Sequence, residues 1–286
     1  MADFQTLRGL HSSGICDEQT WLALIEAGWK LGDRLLVLKA PHLRGDDVAS
    51  LQSSLNHVGF DCGRPDGILG QSTARAIGDF QRNSGLTADG ICGSQTIQML
   101  AVVSRQSGTG PGVASVRESE TMLSHDSLRT LRVVVGQFGG LSSIARALSR
   151  ALREGGAKVM STDEYEAAVQ AAAANRYGAT LYIGFEAVPD KRSTISYFAV
   201  PTFESIGGRA LAKTVSSELS AILDPPPDLQ GMRLAVLRET RMPAVLCSLG
   251  PVRDVVDSTD AIVEALVIAV SSWGSSPLGV TDDMVE

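Results

Sequence analysis

The side chains able to hold a soft metal or to work as nucleophile and base are few. The cysteines are Cys16, Cys62, Cys92 and Cys247, and the histidines are His11, His42, His57 and His125. No cysteines stand at CxxC spacing, which argues against a zinc knuckle or a redox pair and for reduced, structural thiols. All four histidines precede residue 131. Ser248 beside Cys247 invites a nucleophile reading, but the C-terminal half offers no histidine as partner base. The plainer reading is a core thiol next to a strand hydroxyl. Glu186 is a solitary carboxylate whose pKa a pocket could raise. Phe138-Gly-Gly140 precedes a helical pattern, so it either cradles an anion at a helix N-terminus or forms a shortened turn. Thr281 stands beside Asp282 and Asp283 as a candidate phosphosite. Phosphorylation there would add about −1.5 to −2 charge and make an acidic patch able to meet an arginine cluster. The alternative is an unmodified terminus. Ser275 and Ser276 are lesser candidates.

These residues sit in a chain of 286 residues, with 44% hydrophobic and 20% charged residues and a net charge of −7. The length suits two domains. The negative balance gives no footprint for nucleic acid or an anionic membrane. No run of about 18 apolar residues exists, so no transmembrane segment is expected. The first 14 residues contain no apolar core of a secretory signal, and a cytoplasmic location is the expectation.

A repeat organises the front of the chain. Residues 3–24 align without gaps on residues 79–100 at an offset of 76, and 11 of the 22 positions are identical, from Asp3/Asp79 and Gln5/Gln81 to Cys16/Cys92 and Leu24/Leu100. The first copy, 1–40, lacks its opening half; the complete copy spans 43–103. In the complete copy Val48, Leu51, Leu55 and Val58 share one helical face, with Asp46 and Asp47 near its positive end. Gly59 can close that helix, and Asp66-Gly67 is a turn. Gln71–Asn83 reads as a second helix with Ala74, Ile77 and Phe80 inward. Asp89-Gly90-Ile91 forms another turn before a third helix at 94–102.

Residues 104–130 read as a linker, with Gly and Ser concentrated in 107–112. Beyond it, over 131–274, strand and helix patterns alternate. Strands are expected at 131–135, 181–187, 194–200, 232–237 and 244–249. Helices are expected at 141–154, 163–177 (capped by Thr162 or Asp163), 207–223 and 257–273. The fold class is therefore small all-helical repeats followed by an α/β domain with a helix-covered, mostly parallel sheet. Residues 275–286 form a tail.

The pattern Leu51-Gln52, Gly59-Phe60, Asp66-Gly67, Thr73, Phe80-Gln81, Gly85-Leu86, Asp89-Gly90-Ile91, Thr96 and Leu100 resembles the type-1 peptidoglycan-binding domain. Its matching residues are core and turn positions, so they imply a three-helix fold and leave the ligand open. The second domain resembles the zinc-dependent N-acetylmuramoyl-L-alanine amidases of the amidase-3 type. Four stretches carry that likeness: 132–140, 171–187, 207–219 and, most specifically, Arg241-Met-Pro-Ala-Val-Leu-Cys-Ser-Leu-Gly250.

Such amidases hold zinc on two histidines and a glutamate, and a second glutamate serves as general base. Carried over position by position, the first histidine is Phe138, the second is Glu186 and the base is Ser248. The segment of the ligating glutamate is deleted between Gly140 and Leu141. The resemblance thus implies no metal, no cofactor and no hydrolysis.

Repeats of this type fused to a degenerate amidase domain resemble the cytoplasmic pseudo-amidases of actinobacteria. Gly14-Ile-Cys, Gly90-Ile-Cys, Trp29-Lys-Leu-Gly32 and Leu237-Arg-Glu-Thr-Arg-Met-Pro243 support this. The resemblance implies a regulator of peptidoglycan precursor synthesis. It would bind and stimulate the UDP-GlcNAc enolpyruvyl transferase MurA, gated by a Ser/Thr kinase acting on the tail at Thr281. Two alternatives stay open: an amidase with an aberrant site, and a sensor that binds muropeptides through the repeats.

Overall fold

The computed structural model describes residues 1–105, 112–123, 127–200 and 203–276. The candidate phosphosite Thr281 and His125 lie outside the described residues. The chain divides into two compact units that part between Arg117 and Glu118, with Phe203 grouped with the first.

Among the described residues the first unit wholly contains five helices: α1 (Ala2–Leu7), α2 (Glu18–Ala27), α3 (Asp46–His57), α4 (Gln71–Asn83) and α5 (Ser94–Ser104). Its core is the expected helical face, Val48, Leu51 and Leu55 of α3, closed over Ile77 and Phe80 of α4 and Leu100 of α5. Gly59 follows α3 at φ 93°, a left-handed conformation that a side chain would strain. Two short antiparallel bridges, Leu36 with Cys92 and Arg44 with Ile68, tie the segment around the junction of the two copies to the turns of the complete one. Arg34 anchors the same segment, because its guanidinium pairs with Asp47 at 2.7 Å.

The stretch expected as a linker is not wholly irregular. It contains α6 (Val113–Leu123), whose Met122 is buried under α9 (Ile206–Leu219). A Cβ on Gly207 would lie 2.3 Å from the Met122 sulfur, so glycine is what lets this contact form. The polar run Arg117-Glu-Ser-Glu120 in its middle hid a helix that is anchored by the burial of Met122.

The second unit is a seven-stranded sheet in the order β2-β1-β3-β7-β4-β5, with β6 also paired to β4. The strands are β1 (Arg132–Gln137), β2 (Lys158–Thr162), β3 (Leu181–Ala187), β4 (Thr194–Val200), β5 (Phe203–Glu204), β6 (Asp228–Met232) and β7 (Ala244–Leu249). β2, β1, β3 and β7 run parallel, and β4 is antiparallel to β7. The helices are α7 (Ser142–Glu154), α8 (Ala167–Tyr177), α9, α10 (Ala235–Glu239), α11 (Val252–Asp257) and α12 (Thr259–Ser275). One sheet face, carrying Val133, Val135, Ile183, Phe185, Val245 and Cys247, buries against Ile144 and Leu148 of α7, Leu211 and Val215 of α9, and Leu266 and Trp273 of α12. No helix among the described residues is long and apolar enough to cross a membrane.

Four expectations need correction. The strand at 232–237 is instead the end of β6 and the helix α10. Its apolar residues Val236 and Leu237 are buried from a helix, a case in which a short apolar run does not reveal its own type. The helix expected from 163 begins at Ala167, and neither Thr162 nor Asp163 caps it: Thr162 ends the edge strand β2 and Glu166 is the cap residue. β2 carries only Val159 and Met160 as apolar residues, too weak an alternation to stand out. The helix expected to reach Leu223 stops at Leu219, and the one expected over 257–273 is α12, shifted to Thr259–Ser275 and preceded by the separate short helix α11.

Candidate functional site

In a parallel α/β sheet the useful groups gather where strands end and loops begin, outside the carboxyl ends of the strands. β3 and β7 deliver Glu186 and Ser248 to that edge in direct register, on the same face. The Ser248 hydroxyl donates a hydrogen bond to Glu186 Oε1. Ser248 is 3% exposed and Glu186 is partly buried. Phe138 follows the end of β1, where its backbone N–H donates to the Phe185 carbonyl at 2.8 Å. The structure thus brings all three positions together at one edge.

Cys247, one residue before Ser248, points to the opposite face into the helix-covered core, because successive strand side chains alternate. Burial pushes its thiol up to about 12. It is neutral at any ordinary pH and has no access to a substrate.

The Phe138-Gly-Gly140 stretch is a tight turn. Gly139 and Gly140 have φ of 107° and 80°, and a Cβ on Gly140 would sit 2.4 Å from that of Ala187. The Gly139 N–H is already bonded to Gln137 Oε1 at 2.9 Å. Backbone strain and close packing account for both glycines.

Behind this edge lies a polar cluster that the sequence did not suggest. Tyr182 lies across two glycines of the sheet, since a Cβ on Gly136 would meet its hydroxyl at 2.3 Å and one on Gly184 would meet its ring at 3.0 Å. The hydroxyl donates to Gln170 Oε1 at 2.7 Å, and Gln170 Nε2 donates to the Gln137 carbonyl at 3.0 Å. Burial raises the Tyr182 phenol well above its usual value. Gly136 and Gly184, paired in register on β1 and β3, were the available signal.

The donors at the strand edge do not fit zinc. A zinc site draws on imidazole, thiolate and carboxylate ligands in a tetrahedron. These positions supply a phenyl ring, one carboxylate engaged by a hydroxyl, and that hydroxyl. Among the described residues no group of three or more His, Cys, Asp or Glu side chains is placed to hold a metal ion.

The first unit offers a different surface. Three buried glutamines clamp three turns in one way. Gln81 Nε2 donates to the Ile91 carbonyl (2.9 Å), Thr96 Oγ1 (3.1 Å) and Asp89 Oδ1 (2.9 Å), and its Oε1 accepts from Gly90 N–H at 2.9 Å. Gln5 repeats this with Ile15, Thr20, Ser13 and Gly14. Gln52 repeats it with Ile68, Thr73, Asp66 and Gly67. The alignment at offset 76 exposes the first two of these. The third is displaced because Gln52 stands 15 residues before its glycine, where the others stand nine before theirs.

The Ile91 N–H and the Gln81 amide hold Asp89 below the usual carboxylate range. Gln81, Asp89, Ile91 and Thr96, with Leu35 and Leu86, line a groove of about 250 Å³. A larger pocket of about 410 Å³ is lined by Ser53, Asn56, His57, Pro65, Ser104 and Phe203.

Residues 44–100 match the profile of a peptidoglycan binding domain. The chain is 33% identical over 312 aligned positions to the N-acetylmuramoyl-L-alanine amidase CwlM of Mycobacterium tuberculosis, an alignment that covers 93% of this chain and 76% of that protein. A 56-residue segment is 46% identical to the spore cortex-lytic enzyme of Bacillus cereus, covering 20% of this chain and 22% of that enzyme. Among solved structures, an N-acetylmuramoyl-L-alanine amidase from Clostridium difficile 630 superposes over 52% of this chain and 98% of its own, with TM-score 0.44 and 18% identity. The amidase Ami1 of Mycobacterium smegmatis does so over 51% and 99%, with TM-score 0.42 and 13% identity.

Proposed function

The chain belongs to the family of the mycobacterial amidase-named protein CwlM, and on that premise we propose that it is a non-catalytic, cytoplasmic regulator of peptidoglycan precursor synthesis. The observation that carries the reading is the hydrogen bond between Glu186 and Ser248. At the strand edge where an amidase of this type needs a ligating imidazole and a free carboxylate base, a carboxylate and a hydroxyl engage one another. A base that is to take a proton from water must have a lone pair aimed at it, and serine at neutral pH is no such base. Phe138 supports the same view, since it puts an apolar ring at the third position.

In this reading the peptidoglycan-binding repeats serve as a docking surface, and the partner is the enolpyruvyl transferase MurA, as the family resemblance implies. Thr281 is the proposed kinase target, and the charge gained there would favour the complex through arginines on the partner.

Three measurements test the proposal. The turnover of the same organism's enolpyruvyl transferase, titrated with this protein, should rise saturably with the Thr281-phosphorylated form and less or not at all with the unmodified one. A rise with both forms would keep the regulator and remove the switch from Thr281; no rise with either would refute the regulator. Zinc analysis of the purified protein, together with incubation with soluble muropeptides, should give no stoichiometric metal and no cleavage. Cleavage at a measurable rate would return the protein to the amidases.

A further inference from the structure

We propose that the outer face of α2 is a self-association surface, on which a second copy of this chain packs its own α2 antiparallel about a two-fold axis. The internal repeat supplies its own control. α2 and α5 are equivalent helices at the offset of 76, and the positions of Leu22 and Ile25 face outward in both. In α5 the exposed pair is Gln98 and Ala101; in α2 the equivalent exposed pair is Leu22 and Ile25, 51% and 48% exposed. Trp21, 58% exposed, stands where α5 has Ile97, and Trp29, 36% exposed, follows the helix end. At these two positions one fold thus presents a polar and a small residue in one copy and large apolar side chains in the other, while α5 exposes Val102 (51%) where α2 buries Glu26.

Taking roughly 180 Å² for a whole leucine or isoleucine and roughly 250 Å² for a tryptophan, these four residues expose on the order of 400 Å². That is within the range of the largest patch on an ordinary monomer, which is often functional. Two such faces together bury on the order of 800 Å², short of the roughly 1,200 Å² at which stable complexes begin, so the dimer should be weak and concentration-dependent.

The charges favour the antiparallel arrangement. Glu18 and Leu22, then Ile25 and Trp29, follow one another at spacings of four, three and four along one helix face. With the two-fold axis beside Ala23 and Leu24, Leu22 of one copy meets Ile25 of the other. Glu18 of one copy then lies against the Trp29–Lys30 corner of its partner. Neither Glu18 nor Lys30 forms an ion pair with another described residue. Their pairing across the axis occurs twice per dimer, and a self-complementary patch of this kind closes on itself without forming filaments.

Sedimentation velocity of the full chain from about 1 to about 200 µM spans the affinities of interfaces this small. The wild type should shift toward twice the monomer mass across that range. The double variant Leu22→Gln with Ile25→Ala installs the residues that α5 carries at these positions, so its circular dichroism should be unchanged while it stays monomeric throughout. Glu18→Lys or Lys30→Glu alone should weaken association by roughly three- to tenfold. The two together in one chain should restore it, because the pairing is reversed on both sides of the axis. A wild type that is monomeric at every concentration overturns the proposal. So does a dimer indifferent to the Leu22/Ile25 replacement, or a double reversal no better than its singles.

Discussion

Replacing Gln81 by leucine isolates what the buried clamp contributes. The side chain keeps nearly the same volume, so the change removes hydrogen bonds with little cavity. The amide makes contacts at 2.9, 3.1, 2.9 and 2.9 Å, to Ile91, Thr96, Asp89 and Gly90. At about 1 kcal/mol net for an ordinary hydrogen bond, and more where a buried partner is left unsatisfied, the loss should be about 3 kcal/mol. The bond to Asp89 is discounted because that carboxylate is solvated. Thr96→Val removes a single contact and should cost about 1 kcal/mol. Urea unfolding of the full chain reads the effect as a fall of about 1–3 M in the first unit's midpoint, for a slope of about 1–3 kcal/mol per M. Amide hydrogen exchange reads it locally, with about a hundredfold loss of protection at Gly90 and none at Val134 in the second unit. A destabilisation under about 1 kcal/mol, or one shared equally by both units, would refute the clamp as the element that fixes the turn.

Other perturbations have defined outcomes. Gly136→Ala puts a Cβ 2.2 Å from Gln170 Oε1 and 2.3 Å from the Tyr182 hydroxyl, so it should cost about 1–3 kcal/mol in the second unit, measurable as a lower urea midpoint there. Gly78→Ala is the opposite case: the glycine is inside α4 with open space around its Cβ position, so the substitution should stabilise the first unit by roughly 0.5–1 kcal/mol. Cys16 is exposed and the other three thiols are buried, so a disulfide-exchange reagent should titrate one thiol in the native protein and four in denaturant. Burial raises Cys62, Cys92 and Cys247 from 9.0 to about 12. The unfolded thiols release protons first, so stability holds below pH 9 and falls between pH 9 and 12. Cys92→Val should flatten part of that fall in the first unit.

Much of the helical unit was legible because its signals are local. Gly59, Asp66-Gly67 and Asp89-Gly90 punctuate it, and the apolar spacing of α3 and α4 is regular enough to mark their buried faces. What escaped notice depends on distance in space. Tyr182 lying over Gly136 and Gly184 requires two strands in register, and α6 looks like linker until Met122 meets Gly207. The strand edge was half legible: the resemblance located Phe138, Glu186 and Ser248, while the hydrogen bond joining the last two follows from the pairing of β3 with β7. β2 and β6 escaped because edge strands with few apolar residues lack the alternation that betrays a half-buried strand.

The glutamine clamps also change what counts as one unit of this protein's growth. Each clamp joins a helix to the turn after it and to the threonine that opens the next helix, and reaches no further. α4 carries both Thr73 and Gln81 and so belongs to two clamps, and taking it out would strip a partner from the turn on each side of it. The Gln5 clamp, by contrast, shares no helix with the other two, so a pair of helices with its own turn is the smallest piece that keeps every partner.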